Sequence, residues 1–237
     1  MNKPSGIFSG ILAALMALAL VVMGWFWANE DQFPPNSLPW KPMTLDAPPR
    51  WLAHWQINRL KWDAALCRDT LKTASKLETV SLADRQMGGE CRFENVVRAT
   101  ASPIAFTPRV TATCAVTAAL YWYQGQLTAA ADEHMGAPVT GITQLGTYAC
   151  RNVNNAKEGR LSQHATANAI DIAGFQFANG KRASVLRDFG KDTPEGRFLE
   201  AAQAQACGVF NVVLGPRYNK QHADHFHLDM GNFLMCR

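Results

Sequence analysis

The hydropathy pattern of the chain changes character twice. Residues 7–27 are an apolar run without a charged side chain. At a helical rise of about 1.5 Å per residue the run spans roughly 30 Å, the hydrocarbon thickness of a bilayer, so it is expected to be a transmembrane helix after a short segment 1–6. Residues 28–50 carry Pro34, Pro35, Pro39, Pro42, Pro48 and Pro49. That density blocks helices and ladder hydrogen bonds and predicts an extended, polyproline-like tether. Trp40, Leu45 and Trp51 offer the alternative of an arm packed on the domain. Residues 51–237 are long enough for one domain with a single core.

Within that domain Leu60, Ala64, Cys67 and Leu71 recur at helical spacing, as do Val116, Ala119, Leu120 and Tyr123. Two amphipathic helices are therefore expected, flanking a strand near 93–97. A third helix is predicted over 126–135, closed by Gly136. Alternation predicts a strand at 139–145. Thr193, Pro194 and Glu195 give a helix start with an N-cap, proline at the first position and early negative charge, and Phe198, Leu199, Ala202 and Ala206 form its apolar face. Strands are expected at 169–175, 209–214 and 224–230. The fold class expected is α+β, with an antiparallel sheet carrying the site and helices flanking it.

Charge excludes little and one class clearly. The formal net charge is +4, with no charge run or basic-aromatic stripe, which argues against nucleic acid as a partner. Lys3 before the apolar run and Glu30 and Asp31 after it place the N-terminus in the cytoplasm and the domain outside, with Trp25, Phe26 and Trp27 at the outer interface. The run ends in bulky aromatic residues, where a cleaved signal peptide wants small ones, so a retained anchor is favoured. Cys67, Cys91, Cys114, Cys150, Cys207 and Cys236 contain no Cys-x-x-Cys pair. In an exported chain they are expected as disulfides, paired as neighbours: Cys67 with Cys91, Cys114 with Cys150, and Cys207 with Cys236.

The chemistry is concentrated in two polar clusters, 162–171 and 222–229, which hold four of the six histidines. On a strand, residues i and i+2 share a face, so His225 and His227 can project into one cleft, with Asp229 on the same side. His164 and Asp171 are seven apart, which one straight strand would put on opposite faces. A turn is required between them, and Ala165 to Asn168 can supply it. Asp171 among Ile170, Ile172 and Phe175 needs a cation to offset its desolvation. Two imidazoles and one carboxylate with an open fourth position form a catalytic zinc shell.

The sequence also carries resemblances. A His-x6-Asp pair followed by His-x-His resembles the zinc-peptidase superfamily of D-alanyl-D-alanine carboxypeptidases, lysostaphin-type endopeptidases and the hedgehog domain. The stretches 148–151, 161–164, 168–175, 214–216 and 222–229 resemble the bacterial family named for an extensin-like C-terminal domain, with a match running from about Cys67 to the C-terminus. The superfamily resemblance implies His164, Asp171 and His227 as ligands of Zn2+, and a peptidase-type fold. For the general base, His225 and Asp224 compete: lysostaphin-type relatives use the first histidine of His-x-His, and the carboxypeptidase branch has an acid three before the last ligand.

Arg151 is a candidate for holding an oxyanion or substrate carboxylate, against the reading of a surface arginine beside a disulfide, and Arg160 is its alternative. Ser162 is expected as a backbone cap or a substrate contact, and His222 as a residue lining the cleft. Asp229 is a candidate to orient an imidazole. His54 and His134 are expected outside the site. The resulting expectation is a single-pass protein of a bacterial inner membrane, with a periplasmic zinc peptidase domain acting on peptidoglycan peptide. The alternatives are a non-catalytic module binding wall peptide or a protein, and a purely structural zinc site.

Overall fold

The computed structural model describes residues 5–237. Residues 1–4, with Lys3 and most of the expected segment 1–6, lie outside the described residues. Helix α1 (Ser5–Ala28) is one apolar rod, and its side chains from Phe8 to Ala28 make no core. Its length and composition suit a membrane span or a signal sequence alike.

The proline-rich stretch does not stand free as a tether. Leu38, Met43 and Leu45 are buried against the domain. Trp40 and Trp51, offered by the sequence as anchors, stay partly or largely exposed. The stretch is tied down by side chains instead of a ladder. Buried Asn36, at φ 63°, donates from Nδ2 to the Thr44 carbonyl (2.9 Å) and accepts from the Thr44 amide (3.0 Å). The Leu45 amide donates to Thr73 Oγ1, Tyr121 Oη donates to Asp46 (2.5 Å), and Trp122 Nε1 donates to the Ala47 carbonyl. Proline lacks an N–H, so such a segment can lie on a surface without leaving amides unsatisfied.

Helices α2 (Ala53–Leu60) and α3 (Ala64–Leu71) divide the first predicted helix, because Asp63 breaks it by capping α3 through the Leu66 amide (2.9 Å). Short strands β1 (Glu78–Ser81), β2 (Arg85–Gly88), β3 (Cys91–Phe93) and β4 (Val96–Ala101) follow, with the expected strand near 93–97 interrupted at Asn95 (φ 51°). After β5 (Ala105–Thr107) and β6 (Thr111–Thr113) comes α4 (Cys114–Met135), which fuses the second and third predicted helices. Gly125 does not break it, and Gly136 ends it in the left-handed region as expected.

The main sheet is built from β7 (Val139–Gly146), β8 (Ala169–Phe177), β9 (Arg182–Ser184), β10 (Val212–Leu214), β11 (Phe226–Asp229) and β12 (Met235–Cys236), with β5 at its far edge. Its order is β12-β10-β11-β8-β7-β5, with β9 also on β8. The sheet is mixed. The pairs among β10, β11, β8 and β7 are antiparallel, whereas β12 on β10 and β5 on β7 are parallel. Helices α5 (Val185–Asp188) and α6 (Pro194–Ala206) complete the fold, and Thr193 caps α6 at the Gly196 amide as expected. The α+β class therefore holds.

Alternation in the central strands separates core from chemistry. Ile170, Ile172, Phe226 and Leu228 join the core with Val116, Leu120, Phe198 and Leu199 of α4 and α6. Asp171, His227 and Asp229, one residue out of phase, take the other face.

The disulfides are Cys67–Cys114, Cys91–Cys150 and Cys207–Cys236. Only the last was expected, and it joins the end of α6 to β12. The first two correct the neighbour pairing. Cys67 on α3 meets the first turn of α4, where the helices pack. Cys91 on β3 reaches the loop after β7 that carries Arg151.

Candidate metal centre

The centre is assembled from one turn and two paired strands. Ser162 caps a short 3-10 helix, Gln163–Thr166, at the His164 amide, and Ala167 closes it in the left-handed conformation (φ 53°). This is the turn demanded by the odd spacing of His164 and Asp171, and Ser162 Oγ serves it as a backbone cap while the residue also lines the cleft. β8 then presents Asp171, and antiparallel β11 sets His227 directly opposite it.

Three atoms converge there. His164 Nε2 lies 3.2 Å from Asp171 Oδ1 and 3.1 Å from His227 Nδ1, and His227 Nδ1 lies 3.0 Å from Asp171 Oδ1. All three residues are buried. The outward ring nitrogens face pure acceptors. His164 Nδ1–H donates to the Thr147 carbonyl (3.3 Å), and His227 Nε2–H donates to Asp229 Oδ2 (2.9 Å). Those bonds turn a lone pair of each imidazole inward, toward the carboxylate oxygen.

Asp229 is itself fixed, because its Oδ1 accepts from the Gly231 amide (2.7 Å). A side chain at residue 231 would lie 2.9 Å from that same oxygen, so glycine is needed for the close approach.

Electrostatics follow from this geometry. Burial alone would push the Asp171 carboxyl up, but the hydrogen bonds and charges of His164 and His227 outweigh it and hold the carboxyl well below the usual carboxylate range. Burial likewise disfavours charge on His227, yet the hydrogen bonds and charges of Asp171 and Asp229 raise it to about 9. An inward proton on His227 is thus the cation that reconciles three acceptors in one place. A divalent metal can replace it. Donors about 2.0–2.2 Å from a tetrahedral ion stand roughly 3.3–3.6 Å apart, a few tenths of an ångström wider than the spacings found here, so the residues fit such a group after a small outward shift.

Around the triad lies a cleft of about 320 Å³, lined among others by Arg151, Arg160, Tyr218, His222, His225 and Phe233. His225 stands just before β11. Its Nε2 is 3.4 Å from Asp171 Oδ1, and its Nδ1 is 2.7 Å from Asp224 Oδ1. His222 bonds Asn219 Oδ1 through Nδ1 (2.7 Å). Burial, then the charges of His227 and His225, push His222 down to about 4, so it is neutral near pH 7.

The Arg151 carbonyl accepts from the Ser162 amide (3.0 Å), whereas its guanidinium has no hydrogen-bond or ion-pair partner among the described residues, and its charge reaches His222. Arg160 instead lies over the Phe233 ring, 5.2 Å from its centroid. His54 and His134 lie elsewhere, on Cys207 and beside Glu133. A larger cavity of about 700 Å³, between residues 45–49 and α4, shares no lining residue with the cleft and holds no histidine.

Some contributors escape sequence reasoning. The Thr147 carbonyl has no side-chain signature. Asn219, three before His222, had a readable signal in its spacing, since asparagine caps such turns.

No curated protein and no solved structure matches the chain. Residues 65–237, which include every residue of the triad and its cleft, match the model of the extensin-like protein C-terminus, and the chain belongs to that family.

Proposed function

We propose that the protein is a membrane-anchored zinc peptidase, facing the periplasm, that hydrolyses amide bonds in peptidoglycan stem peptides or their cross-links. The observation that carries this reading is the convergence of two imidazole nitrogens and one carboxylate oxygen at 3.0–3.2 Å, inside a cleft that also holds His225 and the unpartnered guanidinium of Arg151. The donor set suits zinc. Zinc in such a shell supplies Lewis acidity, lowering the pKa of a water toward about 7 and polarising a carbonyl.

The chain's own residues divide the remaining work. His225 Nε2 takes the proton of the attacking water and returns it to the leaving amine. Asp224, at 2.7 Å from Nδ1, fixes the tautomer that leaves Nε2 free to do so. The two candidate bases thereby become partners, one transferring the proton and the other orienting. Arg151 offers a guanidinium to a substrate carboxylate or developing oxyanion. The substrate class rests on the resemblance of the His-x6-Asp and His-x-His spacing to zinc peptidases, and the anchor on α1.

The test is zinc content and muropeptide hydrolysis measured together on the full chain, with His164→Ala and Asp171→Ala alongside. Stoichiometric zinc and cleavage in the parent, with both lost in the variants, is the expected result. Hydrolysis that survives in both variants sinks the reading, and zinc without turnover on any wall fragment leaves a module that binds wall peptide.

A further inference from the structure

Helix α2 turns an aromatic stripe away from the core. Ala53, Gln56, Ile57 and Leu60 pack inward. The opposite side carries Trp55 and Arg59, prolonged by Trp51 before the helix and Trp62 after it. Trp55 and Arg59, four apart, share one face of the helix, and Trp51 and Trp62 flank it in the turns at either end. The three indoles are 79 %, 44 % and 78 % exposed, although an indole is among the largest apolar groups a protein has to bury.

Cations sit on these rings. Arg59 lies 4.8 Å from the Trp55 centroid and Lys61 Nζ 5.5 Å from that of Trp62. Lys61 Nζ spends its donors within the protein, on Asn58 Oδ1 (3.3 Å), the Gly231 carbonyl (3.1 Å) and Asn232 Oδ1 (3.0 Å). Asp63, next to Trp62, has its carboxylate turned back to cap α3.

The stripe is joined to the end of α1 by hydrogen bonds. Arg59 Nη1 donates to the Pro39 carbonyl (3.4 Å). Its neighbour Trp40 donates to Glu30 Oε2 (3.1 Å), and Lys41 Nζ binds the Glu30 carbonyl (2.8 Å) and Asp31 (3.2 Å). Trp40 also borders the same hollow as Met23, Gly24 and Trp27 of α1.

We infer that Trp51, Trp55 and Trp62, with Arg59, form a surface that lies in the headgroup layer of the bilayer holding α1. Indoles favour the membrane interface, where the ring is apolar and the N–H stays wet, and the Arg59 guanidinium over Trp55 keeps donors for lipid phosphates. The occupant is lipid because the stripe is fixed to the outer end of the apolar helix, and because the charge it carries on Arg59 is basic. This inference rests on reading α1 as a retained anchor.

The test uses the full chain in nanodiscs of phosphatidylethanolamine and phosphatidylglycerol, with bromine on shallow acyl carbons. The emission of the stripe is taken as the difference from a variant carrying Trp55→Phe, Trp51→Phe and Trp62→Phe. Loss of that emission to bromolipid, with shielding from aqueous iodide, is expected. Iodide quenching of the stripe, while bromolipid quenches Trp25 and Trp27 in the triple variant, read against further removal of those two with Trp40 and Trp122 left in place, overturns the surface and keeps the anchor. Shielding from both quenchers assigns the stripe to a protein partner or a second copy, and also overturns it. If alkaline carbonate strips the chain from the bilayer and Trp25 and Trp27 are untouched by bromolipid, the anchor itself fails and takes the inference with it.

Discussion

His227 and Asp171 face each other as a register pair between antiparallel β11 and β8, with Nδ1 and Oδ1 3.0 Å apart. Strand pairing itself sets this distance, so two of the three converging donors are placed by main-chain hydrogen bonds and not by flexible loops. The third, His164, is held by a capped turn whose ring nitrogen is fixed on a backbone carbonyl.

Asp229 is predicted to matter to the metal without touching it. Asp229→Asn keeps the fold and weakens the hold on His227 Nε2–H, lowering metal affinity about 10–100-fold. Competition against a chromophoric chelator measures it, and unchanged affinity refutes the role.

Metal loading is predicted to release a proton. In the metal-free protein His227 is raised to about 9 and is therefore protonated near pH 7.5. Affinity then rises about tenfold per pH unit up to about pH 9 and flattens above it. The same shifts govern the metal-free fold. The stabilisation from His227 is fully present below about pH 6.5 and is lost as pH rises through about 9, and that from Asp171 is fully present above the ordinary carboxylate pKa and is lost progressively as pH falls from there toward its lowered native value. Calorimetry in buffers of different ionisation enthalpy counts the protons.

His225→Ala is predicted to retain zinc and lose about 10²–10⁴-fold in turnover, and Asp224→Asn to retain zinc with a smaller loss. Equal losses in the two would make Asp224 more than an orienting group. The assay is muropeptide hydrolysis at matched zinc content.

Leu45→Ala is predicted to cost about 2–5 kcal/mol, because the side chain is buried although it belongs to the proline-rich stretch. Denaturant unfolding decides between a packed arm and a loose tether, for which the cost would be near zero.

Replacing Cys91 and Cys150 together by serine is predicted to destabilise the fold by about 2–5 kcal/mol. The bond joins β3 to the loop that carries Arg151, and neither cysteine is one of the converging triad. Zinc stoichiometry in the refolded double variant is therefore expected to persist.

The sequence made the triad's neighbourhood legible because two local rules act there. Period-two alternation separates Ile170 and Ile172 from Asp171, and Phe226 and Leu228 from His227, and the odd interval from His164 to Asp171 demands a turn. The helix start at Thr193 and the stop at Gly136 were legible for the same reason, since caps are local. What failed was long-range. Cys67 pairs with Cys114 and Cys91 with Cys150 because of how α3 meets α4 and how β3 meets the loop after β7, which no neighbour rule contains. The proline-rich stretch was misread for a related cause. Proline density reports what the segment cannot do with its own amides, and says nothing of Thr73, Tyr121 and Trp122, which receive it from far along the chain.

That folded stretch also sets a length. Stretched out, residues 29–50 would give the domain a leash of roughly 70 Å at about 3.3 Å per residue. Pinned through Asn36, Leu45 and Asp46 to the domain, and through Trp40 and Lys41 to Glu30 at the end of α1, they give it a standoff instead. On the reading of α1 as an anchor, the cleft keeps one height above that end and has no radius to sweep, so the proposed substrate would have to be delivered to it.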